Sequence, residues 1–295
     1  NGLALATLYS LPTTFFVWRY SDSLARFFIE DPSATPLTTD YVSIVFIGLL
    51  FSSYSFVFQG FFTGIEKTKI HMKVTIISNV LNVYLNAGLI YGSSGVQEFF
   101  NEHLSFMSFL SYLWGWANFP ALGVKGAAIA TFISSFWMAA HYAVSLLSKQ
   151  TNERYSVFRF SFDSEMMKRQ VQLALPQGLQ ESVIALGWGV FYKIVGIIGL
   201  VELATTELLF TIMHASFMPA MGVGQACSTL VSKYMGQGRI KKSETSIRES
   251  VRIAEYIMAP MGLTFIFFPE FYLHIFTNDL KIINMGAYGL RIIGA

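Results

Sequence analysis

Residues 41–65 read YVSIVFIGLLFSSYSFVFQGFFTGI and contain no Asp, Glu, Lys or Arg. A helix of ~20 mainly apolar residues is long enough to cross the ~30 Å hydrocarbon core of a bilayer. Inside hydrocarbon every backbone N–H and C=O group must find a partner within the protein, and a helix meets that demand by itself. The stretch therefore predicts a membrane-spanning helix.

Seven other stretches of the chain are similarly poor in charge. Three hold no charged residue, three hold one or two, and the last ends with the chain at Ala295. They are residues 1–18, 74–97, 126–148, 171–195, 203–232, 253–268 and 282–295. Together with 41–65 they predict seven complete spans and part of an eighth, numbered one to eight in chain order. A membrane β-barrel would instead show short strands of alternating polarity. The fold class is predicted to be an all-α polytopic integral membrane protein.

The composition supports a membrane protein and excludes several other classes. Hydrophobic residues make up 53% of the chain and charged residues only 13%, against about 25% charged in ordinary soluble domains. Disordered, collagen-like and soluble enzyme classes are therefore excluded. The single cysteine, Cys227, excludes a disulfide framework and a cysteine-based zinc site. A net charge of +2 gives no reason to expect nucleic acid as a partner, and no cofactor is expected.

Basic residues are concentrated in every second link between the predicted spans. The links after spans two, four and six hold 14 Lys and Arg residues, and the links after spans one and seven hold three. Basic links stay on the cytoplasmic side of a membrane. We therefore predict that residues 64–73, 148–170 and 233–252 are cytoplasmic loops of a protein in the inner (plasma) membrane.

One more uncharged stretch, residues 104–124, is dense in aromatic side chains. Aromatic residues favour the membrane–water interface. A ninth span here would destroy the alternation of basic links. We therefore predict that this segment lies on the outer surface of the membrane.

The chain also resembles itself at a separation of 248 residues. Three pairs share this offset: Pro12 with Pro260, Phe28 with Phe276, and Asp31 with Asp279. Span one then matches span seven, so the repeat unit holds six helices and the two copies are parallel. Parallel repeats in a membrane protein are typical of two-lobed transporters with the binding site between the lobes.

The repeat and the charged link after span four predict the domain organisation. Residues 1–147 form an N-terminal lobe with four helices present, and 148–170 form a cytoplasmic linker. Residues 171–295 form a C-terminal lobe with three helices and part of a fourth. We expect two helices to precede Asn1 in the full molecule and further helices to follow Ala295.

Several short motifs resemble those of the multidrug and toxic compound extrusion (MATE) transporters in their order and spacing. They are 59–64 with Lys67 and Thr68, 81–86, 122–131, 175–178 and 218–224. The resemblance implies two six-helix lobes around a central cavity. It also implies export of small organic cations or drugs in antiport with protons or Na⁺, by a protein that we expect to be a monomer.

Glu181 is the leading candidate for binding the coupling ion. It lies ten residues into span five, about 15 Å deep at ~1.5 Å per residue. Gln177 and Trp188 share its helix face at positions i−4 and i+7, and Trp188 could face an organic cation. A structural role, with the carboxyl bonded to a neighbouring helix, remains the alternative. The resemblance places the family's usual acidic residue one turn later, at Ile184.

A second polar stripe on span six contains Glu207, Thr211 and His214. His214 could relay protons because the unperturbed pKa of histidine is near neutral. Thr211 and His214 could equally hold helices together by hydrogen bonds.

Spans two and three carry amide side chains that are further candidates for the cavity. They are Gln59, Asn82 and Asn86. Polar groups inside a membrane face other helices or a water-filled cavity, so each could contact substrate or pack against a neighbouring helix.

Two other functions remain open. A lipid-linked oligosaccharide flippase of similar build would be expected to line its cavity with Arg and Lys, and basic residues near the membrane midplane are absent from these spans. A membrane-embedded enzyme would need a cluster of catalytic side chains. The chain shows no phosphate-binding loop, His-Glu-x-x-His or Gly-x-Ser-x-Gly motif, so we expect that it is not an enzyme.

Overall fold

The computed structural model describes residues 1–28, 35–103, 105–148, 151, 155 and 163–295. Within these ranges the chain is almost wholly helical and contains no strand. The helices are α1 (Gly2–Arg19), α2 (Ser21–Phe28), α3 (Thr35–Gly64), α4 (Thr68–His103), α5 (Tyr112–Gly115), α6 (Val124–Leu147), α7 (Ser164–Ile198), α8 (Leu200–Gly236), α9 (Ile240–Phe267), α10 (Pro269–His274) and α11 (Leu280–Gly294). A 3₁₀ helix, Ser105–Ser111, precedes α5.

Each of the eight predicted spans falls on a helix, and the all-α membrane fold is confirmed. Six of these helices, α3, α4, α6, α7, α8 and α9, are long and apolar enough to cross a bilayer. The helices at the two ends of the chain are shorter, with 18 residues in α1 and 15 in α11.

The basic residues of two predicted loops lie mainly on helices. Only residues 65–67 separate α3 from α4, and only 237–239 separate α8 from α9. The prediction of loops at 64–73 and 233–252 is wrong in this respect. A helix does not need to end where the hydrocarbon ends, because its internal hydrogen bonds persist in water. Most of 148–170, including Lys149, Arg154 and Arg159, lies outside the described residues.

The chain divides into two compact units, Asn1–Val171 and Gln172–Ala295. In the first unit α3 packs against α1, α2 and α6, and α6 also packs against α4. Thr14 Oγ1 on α1 donates to the carbonyl oxygen of Phe46 on α3 at 2.9 Å. The Phe51 ring on α3 meets the edges of two α6 rings, Phe132 and Phe136. Hydroxyl bonds and ring contacts thus join helices whose backbones are already satisfied.

Helix α4 is interrupted at Gly92, which has φ 74° and ψ 165°. The interruption frees carbonyl groups that a continuous helix would use. The Leu122 N–H donates to the Leu89 carbonyl at 2.8 Å, and the Gly123 N–H donates to the Ile90 carbonyl at 3.2 Å. A side chain at position 92 would be strained by the positive φ and would place its Cβ 3.1 Å from Ala121 N. The sequence did not predict this break.

The aromatic segment that follows folds back onto α4. Between Ser105 and Val124 it forms only the short 3₁₀ helix and the four-residue α5. No helix in this described range is long enough to cross a bilayer, as predicted. Trp114 stacks on Tyr84 of α4 and donates from Nε1 to the Tyr84 carbonyl at 2.8 Å. The outer-surface location of the segment remains a prediction.

In the second unit α8, α9 and α11 pack together around a core closed by α10. The buried core residues are Ile212, Phe265, Leu273, Ile283, Ala287 and Leu290. Helix α7 differs from these helices because every residue in 171–191 is exposed. It meets α8 through an aromatic cluster in which Trp188 lies edge-on to Phe210, with ring centroids 4.7 Å apart.

Gly126 should tolerate no side chain. A Cβ atom there would collide with the Leu89 carbonyl oxygen, which already accepts the Leu122 N–H. In the full-length protein, Gly126→Ala should cost about 1–3 kcal/mol of stability by overpacking and should lower the unfolding temperature measured in detergent.

Gly60→Ala is the matched control, because a Cβ at Gly60 meets nothing within 4 Å. This helical substitution should be neutral or slightly stabilising. Equal unfolding temperatures for the two variants would show that the α4–α6 contact is looser than described.

Candidate functional site

A polar pocket of about 420 Å³ lies within the first unit, between α3, α4 and α6. Its polar residues recur at helical spacing on one face of each helix. They are Ser52, Ser55 and Gln59 on α3, His71, Thr75, Ser78, Asn79 and Asn82 on α4, and Thr131, Ser134, Ser135 and Tyr142 on α6. Phe56 and Met138 complete the lining. Three helices that are apolar elsewhere therefore turn their polar faces toward one cavity.

Four of the lining residues, Ser55, Asn79, Thr131 and Ser134, donate hydrogen bonds to the backbone of their own helix. Ser55 Oγ donates to the Phe51 carbonyl at 2.9 Å and Ser134 Oγ to the Ala130 carbonyl at 2.8 Å. Asn79 Nδ2 donates to the Thr75 carbonyl at 2.9 Å. The hydroxyl lone pairs and the Asn79 amide oxygen retain capacity to accept. The pocket therefore offers uncharged hydroxyl and amide oxygens as hydrogen-bond acceptors.

The inner walls of the pocket are linked by side-chain hydrogen bonds. Ser52 Oγ on α3 lies 3.3 Å from Ser135 Oγ on α6. His71 Nδ1 on α4 bonds to the Tyr142 hydroxyl on α6 at 2.5 Å. Ser78 Oγ is buried and has no hydrogen-bond partner within the described part of the chain. The pocket could therefore bond a small polar molecule without first breaking its own structure.

None of the described residues lining this pocket is Asp, Glu, Lys or Arg. The described ranges also hold no group of three or more His, Cys, Asp or Glu side chains suited to a metal ion. A site of uncharged oxygen acceptors and aromatic rings suits a small organic molecule that carries donors or a diffuse positive charge.

The structure brings together two of the three amides predicted from spans two and three. Gln59 and Asn82 both line the pocket. Asn86 lies one turn from Asn82 and donates from Nδ2 to Asn82 Oδ1 at 2.9 Å. Asn86 therefore orients a lining residue without lining the pocket itself.

Sequence reasoning missed the contribution of α6 and of the first turn of α4. Thr131, Ser134, Ser135 and Tyr142 repeat at the spacing of one helix face. That signal was present in the sequence but resembled ordinary helix packing. His71 lies in the basic link predicted to be a loop, and only its place on α4 turns it toward Tyr142.

Glu181 is the central residue of α7, with 17 residues on either side between Ser164 and Ile198. Gln177 and Glu181 are both exposed on the continuous helix. Trp188 is 39% exposed and packs in the cluster with Phe191, Tyr192 and Phe210. Trp188 thus contributes to the contact between α7 and α8.

The stripe on α8 lies away from the packed side of that helix. Glu207, Thr211 and His214 are exposed, whereas Thr205, Ile212 and Ser216 of the same helix are buried. Thr211 Oγ1 donates to the Glu207 carbonyl oxygen at 2.9 Å, so this hydroxyl is bonded along its own helix. The carboxylate of Glu207 is not part of that bond.

A second pocket, of about 550 Å³, lies within the second unit between α8, α9 and the end of α11. Its lining is mainly apolar and includes Met213, Phe217, Met258 and Met261. Glu255 is the one carboxylate among the described lining residues. None of the predicted site residues lines this pocket.

Comparison with known proteins identifies relatives along nearly the whole chain. The chain is 27% identical over 256 residues to the probable multidrug resistance protein NorM of Thermotoga maritima, covering 86% of this chain and 50% of that protein. It is 26% identical over 285 residues to the probable NorM of Photorhabdus laumondii, covering 96% and 57%. The chain therefore spans about half the length of the curated relatives it matches.

Solved structures share the fold. One is an outward-facing conformation of a multidrug resistance MATE family transporter of the MOP superfamily, with a TM-score of 0.79, 21% identity and coverage of 98% of this chain and 59% of that chain. Another is a MATE crystal structure in the straight conformation, with a TM-score of 0.79, 20% identity and coverage of 98% and 59%.

The MatE family model matches residues 1–87 and 184–295, which together exceed half of the chain. The two matched segments fall on the two halves of the sequence and contain the predicted spans one and seven. With the apolar helices described above, this match shows that the chain belongs to the MatE family of multidrug and toxic compound extrusion transporters, multi-pass proteins of the inner membrane.

Proposed function

We propose that the full-length protein exports small organic cations through a central cavity, in antiport with protons or Na⁺. Membership of the MatE family supports this proposal, and so do the relatives named as multidrug resistance proteins. The observation that carries it is the uncharged polar pocket among helices that are mainly apolar. Such a pocket lowers the cost of holding a polar molecule inside the membrane.

The chemistry of the pocket supports cationic substrates over anionic ones. A phosphate-bearing lipid would need basic side chains to neutralise it, and the described lining has none. The pocket offers hydroxyl and amide oxygens to a cation, with the amides of Gln59 and Asn82 in the lining and Asn86 orienting Asn82. We further propose that the protein works as a monomer in the lipid bilayer. It would need no cofactor apart from the coupling ion.

We assign ion coupling to the second unit, with Glu181 as the main residue. At ~1.5 Å per residue its Cα lies about 25 Å along α7 from either end of the helix. A carboxylate at the centre of a membrane-spanning helix is costly unless a cation or proton accompanies it. We propose that the ion and the organic cation compete for Glu181, with Gln177 and Trp188 contributing to the same face. Glu207, Thr211 and His214 form a second, shallower candidate stripe.

Efflux from vesicles that contain the full-length protein tests the transport proposal. Preloaded ethidium should leave faster under an imposed proton or Na⁺ gradient than without one. Vesicles that lack the protein are the control. Equal efflux from both under either gradient would contradict the proposal.

Glu181→Gln keeps the size of the side chain and removes its charge. It should slow gradient-driven efflux at least tenfold, because one charge at low dielectric is worth more than ~1.4 kcal/mol. Chromatography in detergent should show a normally folded protein, because Glu181 is exposed and supports no packing in the described structure.

Glu207→Gln is the matched control, because Glu207 lies seven residues, or about 10 Å, from the start of α8 at Leu200. It should retain most of the activity. If Glu207→Gln loses transport and Glu181→Gln does not, coupling belongs to the stripe on α8.

Sidedness can be tested with single cysteines in a Cys227→Ser background. Ser94 and Thr245 are both exposed, and they lie beyond Gly92 on α4 and near the start of α9. In intact cells a membrane-impermeant thiol reagent should label Ser94→Cys and leave Thr245→Cys unlabelled until the cells are permeabilised. Labelling of Thr245→Cys alone would invert the proposed orientation.

A further inference from the structure

His71 is one of two titratable side chains among the described residues that line the pocket of the first unit, and Tyr142 is the other. Tyr142 is 1% exposed, and its hydroxyl bonds to His71 Nδ1. The two rings stack with centroids 6.3 Å apart and planes inclined by 14°. Thr75 Oγ1 lies 3.3 Å from the same ring nitrogen. The imidazole is therefore held in one place at the pocket wall.

The charged residues nearest to His71 along the chain are mostly basic. Lys67, Lys69 and Lys73 are within four residues of it along the chain, and Lys67 Nζ donates to Thr151 Oγ1 at 3.4 Å. Glu66, in the link before α4, is the nearest carboxylate along the chain.

The two helices that face His71 contribute little further charge. The lining of α3 is uncharged, and α6 contributes Tyr142. His141, beside Tyr142 in sequence, does not line the pocket. No carboxylate in the described lining therefore offsets a positive charge on His71.

We propose that His71 binds a proton within the pocket, and that the pocket holds a small organic cation only while His71 is neutral. This inference rests on the proposed function and assigns a residue that regulates its substrate site. Neutral imidazole can accept a hydrogen bond from the Tyr142 hydroxyl at Nδ1. In imidazolium both ring nitrogens carry hydrogens and can only donate. Protonation therefore reverses the His71–Tyr142 hydrogen bond and adds a positive charge to a wall that is otherwise uncharged.

The sign of the pH dependence follows from that charge. Histidine is the side chain whose ordinary pKa lies between pH 5 and 8. Below the pKa of His71 the imidazolium repels a cation in the pocket, and above it the repulsion disappears. Cation binding should therefore strengthen as the pH rises. At low pH a proton would displace the organic cation, as an antiporter requires.

Binding of tetraphenylphosphonium to the full-length protein in detergent tests the proposal. The wild type should bind this probe at least tenfold more weakly near pH 5.5 than near pH 8, because a like charge a few ångströms away in a medium of intermediate dielectric is worth more than a tenfold change in affinity. His71→Gln retains a hydrogen-bonding side chain and should bind with little dependence on pH. His141→Gln, the matched control, should keep the wild-type dependence. An unchanged pH profile in His71→Gln would overturn the proposal.

A direct titration separates this proposal from the transport proposal. In protein labelled with ¹³C-histidine and titrated from pH 8 to pH 5, the NMR signal absent from His71→Gln should show that the imidazole becomes protonated. Tyr142→Phe should shift its midpoint, because the hydroxyl is the partner of Nδ1. A His71 signal that does not titrate in this range overturns the proposal even if vesicles transport ethidium. A signal that titrates in a protein that binds no tetraphenylphosphonium overturns the link between His71 and the cation.

Discussion

The structure depends on one constraint, the need to pair every backbone polar group inside hydrocarbon. Long helices satisfy it internally, and the chain departs from a helix within a predicted span at Gly92. There the carbonyls of Leu89 and Ile90 are paired by the N–H groups of Leu122 and Gly123. The returning segment is therefore part of the hydrogen-bonding of α4. Its link to α6 also brings Gly126 against Leu89, which is how the close contact of these two helices is made.

Because the backbones need no further partners, the side chains alone decide how the helices meet. In the first unit each of three helices places hydroxyl and amide groups on one face, and these faces line the same pocket. Several of the donors bond back to the preceding turn, so that the helices carry exposed acceptors at little cost in desolvation. The same bonds that accommodate serine and threonine in a membrane helix thereby leave oxygen lone pairs available at the pocket wall.

The two units use polar residues differently. In the first unit, uncharged hydroxyl and amide groups of three helices line one pocket. The contacts of Ser52 with Ser135 and of His71 with Tyr142 link these helices. In the second, the carboxylates of Glu181 and Glu207 lie on faces of α7 and α8 that the described residues leave exposed. A charge at the centre of a long membrane helix is costly, and this cost is the physical reason that Glu181 is proposed to accompany a cation or proton.

The sequence by itself determined the fold class, because apolar composition and the spacing of charges are enough to identify membrane-spanning helices. Eight charge-poor runs became helices, and the uncharged aromatic segment formed no long helix, in agreement with its aromatic density and with the alternation of basic links along the chain. Helix periodicity also grouped Gln59 and Asn82 with their neighbours on single faces. Only the tertiary structure decided that these faces meet, that Asn86 supports Asn82, and that His71 reaches Tyr142 across 71 positions of sequence. The break at Gly92 was equally beyond sequence reasoning, because glycine is common within membrane helices and a single one does not reveal a positive φ. Periodicity describes one helix at a time. A pocket depends on how several helices are rotated and how closely they approach, and packing between residues distant in sequence sets both.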